Sequence, residues 1–173
     1  MHLDLVWEPR FRALEVANYL VGCSLSDRGR YLTHMALQKI LYFADGKYLA
    51  ARRRPLFDSR IEAWDYGPVV PDVYHEFKRF SSSPITEKAS ILEADGDVRY
   101  WRWVTPDLPL VPETASDRAF LDKIWSEYGR RSAVDLMRES HEPKGPWAEV
   151  YARWGRHIEI PPETMLAYFS QHG

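Results

Sequence analysis

Cysteine occurs once, as Cys23. That excludes an intramolecular disulfide framework and a multi-cysteine zinc site, and it fits a reducing compartment. No stretch approaches the roughly 18 unbroken apolar residues of a membrane span. Residues 1–10 hold two acids and no apolar run of signal-peptide length, so the expectation is a cytoplasmic protein with no membrane partner. A surplus of positive charge is also missing: 23 Lys and Arg against 25 Asp and Glu leave a net charge of −2. Sequence-independent attraction to phosphate backbones therefore has little behind it, and nucleic acid is a weak candidate partner. The nine glycines stand singly, which excludes the dinucleotide fingerprint and the Walker loop, and no Gly-x-Ser-x-Gly elbow occurs.

What is present is an ordinary globular composition, 45% hydrophobic and 28% charged over 173 residues. A chain of this length is expected to form one domain over residues 1–173 and to bury about 70% of its unfolded surface without a staple. Seven of its 24 aromatic residues are tryptophan. Most of these rings are expected in the core, and a surplus on short strands and turns leaves room for a protein-binding face.

Helical spacing dominates the pattern. Pro9 opens a first helix carrying Phe11, Leu14 and Val21 and ending at Gly22. Thr33 caps a second, whose Leu37, Ile40, Leu41, Ala44 and Tyr48 recur over about four turns, with Phe43 and Leu49 on a flank. Such a helix is covered on more than one side. Residues 60–66 suggest a short strand stopped by Gly67-Pro68, after which Pro71 starts a third helix with Val73, Tyr74, Phe77 and Phe80. Residues 91–104 read as a β-hairpin turning at Asp95-Gly96, with its second arm from Val98 to Val104. A helix from Ser116 is capped by Gly129, Ser132 and Asp135 open another, and two more run over 147–154 and 162–169. The expected fold is mainly α (α+β): a helical bundle of six or seven helices with a small antiparallel β element.

Candidate chemistry is sparse. The histidines lack metal-ligand spacing, although Asp45, His75 and His141 could converge in three dimensions, leaving a small metal-dependent hydrolase as one alternative. Cys23, following Gly22 near a helix C-terminus, is expected to have a raised thiol pKa and to serve packing. Arg52-Arg53-Arg54 reads as a solvated helix end. Trp101 and Trp103 beside Arg99 and Arg102 admit core packing, a protein interface, or base stacking in a nucleic-acid-binding regulator.

Several segments, in order, resemble the Panacea domain family of antitoxins, which includes SocA-like proteolytic adaptors and phage-associated GepA-like proteins. They are Leu37-Gln38-Lys39-Ile40-Leu41-Tyr42-Phe43-Ala44, then Pro55-Leu56-Phe57, then Ile61 through Pro71 with Trp64-Asp65-Tyr66-Gly67-Pro68-Val69 at its centre. Ile124-Trp125, Tyr128-Gly129, Ser132, Leu136, Ser140-His141 and Pro146-Trp147 follow. Residues 81–112 match no family feature. The resemblance implies an antitoxin that binds a cognate toxin protein, with no catalytic residues and no cofactor or metal. Its SocA-like branch implies delivery of the toxin to ClpXP, with the ClpX unfoldase as a further partner. The partner-binding candidates are Trp64, Tyr66, Gly67, Pro68, Val69, His141 and Trp147. A plainer reading competes at the same positions: Gly67-Pro68 stops a strand, Trp64 and Tyr66 pack on the second helix, Trp147 packs beside His141, and the toxin meets more variable loops.

Overall fold

The computed structural model describes residues 8–29, 31–96 and 99–173. Helix α1 (Ala13–Ser26) starts later than Pro9. Arg10 and Phe11 are held out of the helix instead, because their amides donate to the carbonyls of Pro55 and Leu56, both at 3.0 Å, and Phe11 returns its carbonyl to the Asp58 amide. The helix is capped from a distant loop: the Ala13 amide donates to Asp58 Oδ1 at 2.9 Å. It also passes through Gly22 to Ser26, the roughly 1 kcal/mol cost of a helical glycine being smaller than the gain from burying Leu20 and Val21 just before it.

Thr33 caps α2 (His34–Arg52), its Oγ1 accepting from the Ala36 amide at 3.3 Å. Every residue from Ala36 to Gly46 is buried, so polar Gln38, Lys39 and Asp45 go inside with the apolar stripe. Of the three arginines at its end, Arg54 departs from a solvated role by donating to the carbonyls of Glu8 and Pro9.

The next segment corrects the sequence reading. Strand β1 (Glu62–Trp64) does not stop at Gly67-Pro68; the chain reverses at Asp65-Tyr66, and β2 (Gly67–Val69) pairs back antiparallel, Trp64 opposite Gly67. Pro68 is tolerated because β2 is an edge strand, where a missing amide costs no ladder bond on the open side. Helix α3 (Pro71–Phe77) follows with proline in its first turn and continues as a 3-10 turn through Phe80.

Strands β3 (Ile91–Ala94) and β4 (Trp101–Val104) form a separate antiparallel hairpin. Its turn is longer than the Asp95-Gly96 dipeptide: the Asp95 amide donates to the Tyr100 carbonyl at 2.9 Å, and Asp97 and Val98 lie outside the described residues. Alternation puts Leu92, Ala94, Trp101 and Trp103 on one face. That face is exposed, Trp101 at 59% and Trp103 at 72%, so these two rings are not core. Asn18 on α1 ties down the ends of this insertion, donating to the Ala89 and Pro106 carbonyls and accepting from the Ala89 amide.

Helix α4 (Ala115–Tyr128) ends at Gly129, which is right-handed rather than in the left-handed capping conformation. Ser132 caps α5 (Ala133–Ser140), its Oγ accepting from the Asp135 amide at 3.1 Å. Helix α6 (Pro146–Trp154) leads to β5 (Ile158–Glu159), and α7 (Pro162–His172) follows. Sequence reading missed β5, a two-residue strand that pairs with β1 and completes a sheet ordered β2-β1-β5.

The architecture is mainly α, seven helices among the described residues, with small antiparallel β elements. Helix α2 is central, packed by α1, α3, α4, α5 and α7. It meets α7 at Gly46, where a Cβ would fall 2.3 Å from the Phe169 ring, so only glycine fits. Buried residues from α1 to α7 form one cluster. Among the described residues no helix is long and apolar enough to cross a membrane.

Candidate binding groove

The β1–β2 hairpin is held at almost every residue. Trp64 offers its carbonyl to the Trp147 indole N–H at 2.9 Å, and Asp65 accepts from the Tyr151 hydroxyl at 2.8 Å. Pro68 offers its carbonyl to Lys39 Nζ at 3.0 Å, and the Val70 amide donates to Gln38 Oε1 at 2.8 Å. Gly67 has φ +100, and a Cβ there would lie 2.9 Å from Lys39 Cε and from Ser140 Oγ, and 3.1 Å from His141 Nε2. Glycine is required twice over, for its backbone conformation and for the side chains beneath it. His141 in turn stacks on Trp147, centroids 3.7 Å apart and planes within 3°.

Tyr66 sits at the tip of this fixed hairpin, 68% exposed. On the hairpin's outer side runs an open groove of about 720 Å³ between α2, α3 and the start of α5. Met35, Tyr66 and Val134, all exposed, stand along it, with Trp64, Val69 and Tyr74 deeper in. His34, Gln38 and Lys39 line it too, each at least 92% buried. Among the described residues, His34 Nδ1, Gln38 Nε2 and His141 Nε2 are buried polar atoms without a hydrogen-bond partner. Burial pushes the Lys39 ammonium down to about 7. Burial, and then the nearby Lys39 charge, also lower the pKa of His34 and of His141.

The candidates singled out from sequence converge on this hairpin but divide between its two sides. Trp64, Tyr66 and Val69 line the groove. Gly67, Pro68, His141 and Trp147 lie behind and beneath, where they hold the hairpin in place. Tyr66 is 68% exposed, and the Trp64 ring meets those of Tyr74 and His157. Sequence reading missed His34, Met35, Gln38, Lys39 and Val134. The available signal was Gln38-Lys39, a polar pair inside a helix whose apolar pattern already implied cover on several sides.

The residues considered for acid-base or metal chemistry have other surroundings. Asp45 accepts from the Leu56 amide at 2.8 Å, and burial raises its pKa to about 7. His75 is exposed beside Tyr74, and His141 is stacked on Trp147. Among the described residues no three His, Cys, Asp or Glu gather as a metal-binding group. The Cys23 thiol is raised to about 11, as expected in direction, though burial rather than the helix dipole is the main cause.

The hairpin, α3, α5 and most of α2 fall within residues 37–148, which match the family described as antitoxin SocA-like, Panacea domain. Antitoxin SocA of Caulobacter vibrioides (strain NA1000 / CB15N) is 32% identical over 119 residues, 67% of this chain. The match spans 58% of that relative's length. No solved structure matches. By the extent of both matches, the chain belongs to the SocA-like antitoxin family, the Panacea domain.

Proposed function

We propose that this protein is an antitoxin that neutralises a cognate protein toxin by binding it directly, with the groove beside Tyr66 as the docking face. The observation that carries the reading is the placement of an exposed aromatic tip and an open apolar groove on the hairpin that bears the Trp64–Val69 motif. Exposed aromatic and methionine side chains around a concave apolar surface are the usual anchors of a protein interface. The rigid mounting of Tyr66 favours binding further, because little conformational freedom is lost when the partner docks. The family's name supports the antitoxin role, and delivery of the bound toxin to ClpXP through ClpX is a further step of the same proposal. A cytoplasmic site of action goes with that reading.

Co-expression with the product of the adjacent gene tests it. The expected result is growth rescue by the wild-type protein and none by Tyr66→Ala combined with Val134→Arg, both proteins being folded. Toxicity that persists with the wild-type protein refutes the antitoxin role. For the delivery step, toxin half-life is expected to lengthen when this gene or ClpX is deleted, and an unchanged half-life refutes it.

The exposed Trp101 and Trp103 support a second reading, in which the hairpin stacks on single-stranded nucleic acid. Affinity that falls steeply with salt is its expected mark, and no binding at low salt rejects it.

A further inference from the structure

We propose that the groove receives an apolar segment of the partner protein bearing one acidic side chain, whose carboxylate is bound at the floor by Gln38 and His34. This inference rests on the reading of the groove as the toxin-docking face. Its walls and floor differ in chemistry. Met35, Tyr66 and Val134 give apolar cover at the rim, but the floor holds unpaired polar atoms: the Gln38 amide N–H groups, which need an acceptor, and His34 Nδ1, which donates in the tautomer that carries its hydrogen there. Gln38 is 1% exposed and spends its Oε1 on the Val70 amide, so both hydrogens of Nε2 remain unused. His34 is 8% exposed with Nδ1 unused. Lys39 Nζ, one residue away, donates to the Pro68 carbonyl and has further hydrogens. Buried N–H groups in folded proteins almost always find an acceptor, and leaving one unpaired is costly.

Charge points the same way. The first turns of both α2 and α5 line the groove, through His34 and Met35 and through Ala133 and Val134, and helix N-termini carry partial positive charge. Lys78 adds a cation at the edge, and Asp65, the acid among the lining residues, is already engaged by Tyr151 and Arg156. A cationic side chain entering here would meet like charge. A wholly apolar segment would leave the Gln38 amide unpaired. A carboxylate flanked by apolar side chains satisfies both wall and floor.

The test measures binding between this protein and the purified product of the adjacent gene. Gln38→Glu keeps the oxygen that serves Val70 and converts the unused donor into a negatively charged oxygen. Lys78→Glu reverses an exposed charge at the groove edge and does not depend on the core tolerating a change. Val134→Arg blocks the apolar wall while leaving the floor intact. The expected result is a loss of at least tenfold in affinity with Gln38→Glu and with Val134→Arg, and a smaller loss with Lys78→Glu. Replacing the partner's Asp and Glu residues one at a time by Lys should reveal one position that weakens binding to the wild-type protein and restores binding to Gln38→Glu, or to Lys78→Glu if the former does not fold.

Unchanged affinity in the two charge variants, or loss with no partner acid restoring it, overturns the carboxylate inference. If Val134→Arg still abolishes binding in that case, the groove remains the docking face. Loss confined to removal of the partner's C-terminal residue assigns the floor to a chain terminus and overturns the side-chain inference. If Val134→Arg folds and binds normally, the groove reading itself falls.

Discussion

The Trp147 indole N–H donates to the main-chain carbonyl of Trp64 at 2.9 Å, across 83 residues of sequence. This bond joins helix α6 to the first strand of the hairpin and sets the ring flat against His141, which lies under Gly67. Trp147→Phe keeps a stacking ring and removes this hydrogen bond to the Trp64 carbonyl, an expected loss of about 1 kcal/mol in urea denaturation. Trp147→Ala removes the stack as well and is expected to cost about 3–5 kcal/mol. A Trp147→Phe variant as stable as wild type would show that the hydrogen bond is not what couples these elements.

Gly67→Ala is expected to destabilise by about 3 kcal/mol, the sum of an unfavourable backbone region and a Cβ pressed on Lys39 and Ser140. Its midpoint of chemical denaturation should fall with little change in slope. A stability within 1 kcal/mol of wild type, by this same rough scale, would mean the hairpin relaxes around the methyl group.

Two buried ionisable groups give stability opposite slopes on either side of pH 7. Asp45 titrates at 3.8 when free and about 7 in the fold, so between those values the folded state holds a proton that the unfolded chain has released, and stability falls as pH rises. Lys39 titrates at 10.5 when free and about 7 in the fold, so above pH 7 the unfolded chain holds the extra proton and stability rises with pH. Each slope is limited to about 1.4 kcal/mol per pH unit. Thermal melts from pH 5 to pH 9.5 should show a trough near neutrality. Asp45→Asn should flatten the acid side, Lys39→Met the alkaline side, and a pH-independent difference from wild type in either variant would contradict the assignment.

Tyr66 and Trp103 are 68% and 72% exposed, so Tyr66→Ser and Trp103→Ser should each fold within about 0.5 kcal/mol of wild type. Only Tyr66→Ser is expected to weaken toxin binding, by tenfold or more in a titration. Loss of binding with Trp103→Ser alone would move the docking face to the β3–β4 hairpin.

Local signals located most of the helices. Thr33 and Ser132 cap α2 and α5 with their own hydroxyls, and Pro71, Pro146 and Pro162 sit in the first turns of α3, α6 and α7. These effects act within a turn of the chain, so they are written in neighbouring residues. The start of α1 was hidden because Arg10 and Phe11 are claimed by Pro55 and Leu56, and β5 because two residues carry no periodicity.

The sequence by itself determined the family, the central α2 and the choice of Trp64–Val69, His141 and Trp147 as candidates; the hairpin that gathers them was not legible in it. Only the tertiary structure decided which of those residues face outward. The alternation along β1 and β2 is broken by a two-residue turn, and whether a ring at that turn is covered depends on elements far away in sequence. The same holds for Gln38 and Lys39: a polar pair looks solvated in a helix read alone, and it becomes a buried, donor-rich floor only once the helices and the hairpin close around α2.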